Sequence, residues 1–219
     1  MNKMKIETRN SLVGKLFDVI GINKSFYKYE QVKINNKATI VSPVEAKVVH
    51  IGKIDSDGNI ISKNHKNVNL KLLIQEYSQN FYKGVYINFY LSPNNKHFWI
   101  TPCEGSFIYT QKNEGKSKFP IFLGLENMFG IEMFSKAVKK NASISSILQT
   151  KDFMIAMIAV GSLNVNRIHT DYEEGINYKK GIPCGYFSLG SSMLLCFSNH
   201  QEFLIKEGDL VKMGDKIVR

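Results

Sequence analysis

The sequence predicts a mainly β fold of the α+β class, in which a few peripheral helices accompany many short strands. From Ala38 onward, brief runs rich in β-branched and aromatic residues alternate with Gly, Pro, Asn and Asp, the punctuation of strands joined by turns. Within that region only the stretches around residues 69–77 and 127–139 suggest helices instead. Hydrophobic residues make up 43% of the 219-residue chain and charged residues 22%, which supports one substantial core and argues against disorder.

In chain order, the first element expected is a short amphipathic helix at 11–22 (SLVGKLFDVIGI). Leu12, Leu16 and Ile20 recur one turn apart, Val13, Phe17 and Val19 widen the stripe, and Ser11 is available as a cap. Such a helix packs on the domain's own core, lies on a membrane surface or docks a partner. Residues 1–37 are therefore read as helix and lead-in, and 38–219 as one domain. Strands are expected at ATIV (38–41), AKVVHIGKI (46–54), GVYINFYL (84–91), SFIYT (106–110), FMIAMIAVG (153–161), SSMLLCF (191–197) and EFLI (202–205). The unbroken apolar run at 153–161 predicts a strand covered on both faces. Helices are expected at NLKLLIQEY (69–77), where Leu70, Leu73 and Tyr77 share a face, and within 127–139. The closing stretch repeats a Gly-Asp turn at Gly208-Asp209 and Gly214-Asp215. It resembles the closing hammerhead of the biotinyl and lipoyl carrier fold, and SPVEAKVVHIG resembles the opening strand of that sandwich. A pure carrier domain fails on length and on the absence of a lysine in a carrier context, since Lys47 and Lys212 are not so placed.

Charge and cysteine content limit the function classes. The net charge of +10 favours a polyanionic partner, but the lysines are scattered and no RNA-binding or helix-turn-helix signature accompanies them, so nucleic acid is not expected. Cys103, Cys184 and Cys196 form neither a CxxC pair nor a zinc-binding spacing; buried or free thiols in a reducing compartment are expected, and no metal. His50, His65, His169 and His200 have no metal-like spacing and are read as structural. The longest apolar run, Phe153 to Val160, is too short to span a bilayer, and no secretion signal is evident, so a cytoplasmic location is expected.

Four segments carry the chemistry. They are VSPVEAKV (41–48), LSPNNKHFWITPCEGSF (91–107), VGSLNVNRI (160–168) and KKGIPCGYFSLGSSMLLCF (179–197). In this order they resemble the phosphatidylserine decarboxylase family, whose corresponding segments read S/L-P-x-D-G, L-x-P before D-Y-H-R-x-H-x-P, V-G-A-x-x-V-G-S-I and K-G-x-E-x-G-x-F-x-x-G-S-T. The resemblance implies a decarboxylase-like β-sandwich with barrel-sandwich-hybrid-like elements. It also implies self-cleavage between Gly190 and Ser191, a covalent pyruvoyl cofactor made from Ser191, and a serine phospholipid substrate. The expected setting is peripheral, at an anionic membrane surface, with a homodimer as the assembly allowed for.

The cleavage has a physical logic of its own. Gly190 has no Cβ, so its carbonyl can be approached closely, and the Ser191 hydroxyl is positioned to attack it. An N-to-O acyl shift gives an ester, β-elimination leaves dehydroalanine at 191, and hydrolysis gives the pyruvoyl group, an electron sink like pyridoxal phosphate. The resemblance assigns His97 to decarboxylation as a general acid or base, and a histidine and an aspartate to maturation. Here the chain departs from the family. Glu45 stands for the aspartate, Ala46 for the following glycine and Ile100 for the maturation histidine, while Asn94 is read in place of a loop aspartate and Phe98 in place of an arginine. Asn141 and Thr150 fall at the family's N-E-R segment and its following threonine, which Ala142 and Ser143 leave incomplete. Trp99 is read as packing or an interfacial anchor. Two alternatives stay open: a non-cleaving homologue that binds lipid or a partner, and a decarboxylase of a different amino-acid substrate.

Overall fold

A computed structural model of the chain describes residues 31–61, 67–92, 95–115, 134–161, 168–187 and 191–219. The helix expected at 11–22 lies outside them. The elements are β1 (Ala46–Lys53), β2 (Asn59–Ile61), β3 (Asn67–Asn69), α1 (Lys71–Ile74), a 3-10 helix (Gln75–Phe81), β4 (Val85–Leu91), β5 (Phe98–Ile100), β6 (Gly105–Asn113), α2 (Phe134–Lys140), β7 (Ser143–Gln149), β8 (Met154–Gly161), β9 (Ile168–Thr170), β10 (Asn177–Tyr178), β11 (Pro183–Phe187), β12 (Ser191–Phe197) and β13 (Leu210–Val211). The described residues form antiparallel sheets of eight, three and two strands, none closed into a barrel, so the mainly β α+β class holds. The large sheet runs β10-β6-β7-β8-β12-β4-β1-β13, and the small sheet β5-β11-β9.

Alternation along the central strands divides the interior into two cores. On β8, Ile155, Met157 and Ala159 enter one cluster with Trp99, Cys184 and Phe187 of the small sheet. Ala156, Ile158 and Val160 enter the other, with Leu73, Ile74 and Phe81 of the helical turns and Val138 of α2. This strand is covered on both faces, as its continuous apolar run predicts. The result is three layers, with the small sheet and closing segment on one face of the large sheet and the short helices and β2–β3 hairpin on the other. A third cluster joins Ala38, Val41, Phe98, Ile100, Tyr186 and Met213, with Val32 and Ile34 of the lead-in packed against it.

The carrier-like ending is built as a doubled turn. Gly208 and Gly214 take φ of +94° and +89°, which suits glycine. The Asp209 carboxylate accepts the Lys206 backbone N–H at 2.9 Å, and Asp215 accepts that of Lys212 at 2.8 Å. The two turns clasp the opening strand at matching points: Gly208 donates to the Val48 carbonyl and Gly214 to that of Ser42, both at 2.9 Å. Because the chain reverses so soon after each pairing, the strands expected at 38–41 and 202–205 shrink to single bridges, Val41 with Lys216 and Phe203 with Val218. The helix expected at 69–77 is also shorter. Its α-turn ends where Gln75 adopts φ of 47°, and the chain continues as 3-10 helix. Of the helix expected within 127–139, the described part is α2, running from 134 to 140.

Candidate active site

The first site segment leads into β1. Ser42 Oγ donates to the Val44 carbonyl at 2.7 Å, which turns the chain and leaves Glu45 half-buried at the strand's start. The second segment leaves β4 through a side-chain-braced turn. Asn95 Oδ1 accepts from both the N–H and the hydroxyl of Ser92, each at 2.8 Å, and Asn95 N–H donates to the Ser92 carbonyl at 3.0 Å. Asn95 then reaches in two further directions. Its Nδ2 donates to Glu45 Oε1 at 3.3 Å, and its carbonyl accepts from His97 Nδ1 at 2.6 Å. One asparagine thus joins two residues that the sequence places 52 positions apart, Glu45 and His97.

His97 is fully buried. Burial pushes its pKa down to about 4, against a smaller opposing effect of the Asn95 carbonyl. Since a carbonyl only accepts, Nδ1 carries the proton of the neutral ring and Nε2 bears the lone pair. Neutral imidazole in this tautomer suits proton acceptance at Nε2.

Phe187 and Ser191, the described residues on either side of 188–190, are both held to this segment or its start. Phe187 N–H donates to the His97 carbonyl at 2.7 Å, and Ser191 pairs in register with Leu91 of β4 and Gly161 of β8. The chain therefore leaves the 91–97 segment's far end at Phe187 and returns to its near end at Ser191. Gly190 and the Ser191 side chain lie outside the described residues, as does Asn94. On the other side of Ser191, buried Asn141 donates from Nδ2 to the Gly161 carbonyl at 2.7 Å, while Gly161 N–H donates to Ala142 at 2.9 Å. Asn141 thereby fixes the strand end against which Ser191 is registered.

The Ile100 backbone N–H donates to the Pro43 carbonyl at 3.0 Å, which brings position 100 alongside the Glu45 segment. Its side chain, however, sits in the dry cluster of Val41, Phe98, Tyr186 and Met213. Trp99 is buried and packs against Phe187 with ring centroids 4.7 Å apart, so it is a packing residue. The three cysteines are free and buried. His50 bonds the Tyr86 hydroxyl at 2.7 Å and lies 3.5 Å from Glu207, away from this segment. Among the described residues no group of His, Cys, Asp and Glu could hold a metal ion.

Sequence reasoning missed Asn95, and the motif spacing contains the signal for it. Counted back from His97, the aspartate of D-Y-H falls on position 95, not on Asn94. Ser92 carries no motif signal, because its part is set by the geometry of the turn.

Comparison with known proteins bears on the family to which the chain belongs. The model of the family described as phosphatidylserine decarboxylase matches residues 25–219. A protein of Halalkalibacterium halodurans named phosphatidylserine decarboxylase proenzyme is 28% identical over 82% of this chain and 68% of its own length. Proteins of the same name from Anoxybacillus flavithermus and Wigglesworthia glossinidia brevipalpis are 30% and 27% identical, over 82% and 80% of this chain and 66% and 69% of their own. The chain thus spans about two thirds of the length of these relatives. Coverage of this extent defines the class, that of carboxy-lyases made as proenzymes. The chain belongs to the phosphatidylserine decarboxylase family.

Proposed function

We propose that this chain cleaves its own Gly190–Ser191 bond and then decarboxylates phosphatidylserine to phosphatidylethanolamine at an anionic membrane surface on the cytoplasmic side. The observation that carries the reading is that Phe187 is bonded to the His97 carbonyl and Ser191 is registered with Leu91, so the described residues on either side of 188–190 are both tied to the segment that holds a buried neutral imidazole. In maturation the Ser191 hydroxyl attacks the Gly190 carbonyl carbon, its proton passes to a base, and the C–N bond gives way to an ester. Loss of the Ser191 α-proton then breaks the ester C–O bond, releasing Gly190 as a carboxylate, and water replaces the nitrogen left at 191, which departs as ammonia.

The residues fit the pyruvoyl group so formed. Position 191 is held in ladders on both sides, and His97 supplies a buried proton acceptor. When present, the group supplies the electron sink for loss of carbon dioxide. His97 takes up and returns a proton at Nε2, with its tautomer held by the Asn95 carbonyl. Glu45, oriented through Asn95 Nδ2, supplies the carboxylate of the maturation arrangement. The net charge of +10 supports recruitment to anionic lipid.

A second reading, a non-cleaving homologue that binds lipid or a partner, is favoured by Ile100, which places an apolar side chain where the family has its maturation histidine. The intact mass of the purified chain separates the two. Slow conversion into pieces 1–190 and 191–219 is expected in the wild type. The double change Ile100→His with Glu45→Asp should accelerate it by on the order of 10² to 10⁴, the contribution of a positioned base, and Ser191→Ala should abolish it. A single unchanged mass in both the wild type and the folded double variant, with no hydrazine-reactive carbonyl, would leave the binding reading in its place.

A further inference from the structure

On the helical face of the large sheet, away from His97, lies a cavity of about 310 Å³. One wall is apolar, built from Leu72 and Leu73 of α1 and Val138 of α2. Its floor is the polar end of two paired strands, with Gln111 opposite Ser145 and Asn113 opposite Ser143. Lys139 of α2 completes the lining.

The floor is rich in hydrogen-bond donors. The Asn113 side-chain oxygen is taken by the Gly115 N–H at 3.1 Å, and that of Gln111 by the Tyr109 hydroxyl at 2.9 Å. Each amide therefore has its NH₂ left to donate. Ser143 and Ser145 are 4% and 3% exposed, and both line the cavity. A hydroxyl can donate as well as accept, so each serine adds a hydrogen-bonding group to the cavity wall. Lys139 adds a cation, and no carboxylate is found among the described residues of the lining. Two hydroxyls, two amides and an ammonium converging on one space match an anion with several oxygens.

We infer that this cavity binds the phosphate headgroup of a membrane lipid. Phosphate presents enough acceptor oxygens to satisfy the whole floor, and charge-assisted bonds of this kind are the strong ones. The lipid source follows from the apolar wall and from Leu72, which is 61% exposed at its edge and flanked by Lys71. A volume of about 310 Å³ is at the lower end for ligand pockets, suited to a headgroup with the acyl chains left outside. Along the floor, the row Asn113–Ser143–Val160–Ser192 continues across the sheet to the residue that follows Ser191. The site is independent of the decarboxylation reading, since no residue of its lining belongs to the Glu45–Asn95–His97 group.

The test uses the full Ser191→Ala chain, so that binding is separated from maturation and failure leaves the decarboxylase reading untouched. Calorimetric titration at low salt compares inorganic phosphate, glycerol 3-phosphate and dihexanoyl phosphatidylglycerol. The lipid should bind at least about tenfold more tightly than inorganic phosphate. Ser143→Ala with Ser145→Ala should weaken all three by about tenfold or more, with unchanged melting temperature. Leu72→Ser should weaken only the lipid. Absence of binding by any of the three, or lipid binding indifferent to the serine pair, overturns the site. Equal binding of lipid and phosphate with Leu72→Ser silent overturns the lipid assignment.

Discussion

His97, to which the proposed chemistry assigns proton transfer, also bears on the stability of the fold. Above about pH 6.5 the imidazole is neutral in both folded and unfolded chains, and its burial carries no pH-dependent cost. Between that value and the folded pKa of about 4, the unfolded chain takes up a proton that the buried ring excludes. Stability is therefore lost as pH falls through this window, by on the order of 3 kcal/mol at its lower end. Thermal melts of the wild type should decline more steeply from pH 6.5 to 4 than those of His97→Gln, which has no proton to take up. Parallel curves would show that His97 is hydrated rather than buried. The positions of His97, Glu45 and Ile100 were legible in the sequence because they are motif positions at fixed spacing. Their surroundings were not: the bridge through Asn95 exists only once β1 and β4 pair, and the apolar setting of Ile100 only once the small sheet packs on the lead-in.

The small sheet that carries His97 into place depends on one glycine. Gly185 pairs with Trp99, and a Cβ there would lie 2.1 Å from the indole and 2.6 Å from the His169 carbonyl. Neither neighbour yields cheaply, since Trp99 is wedged against Phe187 and the carbonyl belongs to strand β9. Gly185→Ala should cost about 1–3 kcal/mol by overpacking and lower the melting temperature by on the order of 5 °C. Far-UV circular dichroism should change little. A melting curve unmoved by the change would mean that β5 and β11 are not held in this register. Strands β4, β8 and β12 were legible because buried interior strands read as predominantly apolar runs, interrupted here only by Asn88 in β4 and by the two serines that open β12. Strand β7 escaped because Ser143, Ser145 and Ser146 punctuate it like a loop, although six of its seven residues are buried. The short strands β5, β9 and β11 have too few residues for any period to emerge, and only pairing defines them.

At the scale of the molecule, the placement of β12 determines what cleavage at Gly190 would do. This strand is interior to the eight-stranded sheet, laddered to β8 and β4 along its whole length. The piece that follows also contributes β13 at the sheet's edge, and Gly214 and Asp215 grip Ser42 through two backbone hydrogen bonds. Met193, Leu194, Leu195, Cys196, Phe197, Val211, Met213, Ile217 and Val218 are each at most 5% exposed. Pulling residues 191–219 away would expose these nine side chains and leave a vacant slot between two hydrophobic strands. At roughly 1.5–3 kcal/mol for each large side chain, the cost is on the order of 10 kcal/mol or more. A break in the chain at 190–191 removes none of these contacts. The two pieces should therefore elute as one particle under native conditions and separate only in denaturant, and unfolding of the nicked form should become concentration-dependent. The same holds if the natural chain does not cleave, because segments 1–190 and 191–219 expressed as separate chains should then assemble by themselves. Separate native elution of the pieces, or failure of the split chains to associate while the Ser191→Ala chain folds, would show that the sheet needs the covalent link and that cleavage would dismantle the site instead of maturing it.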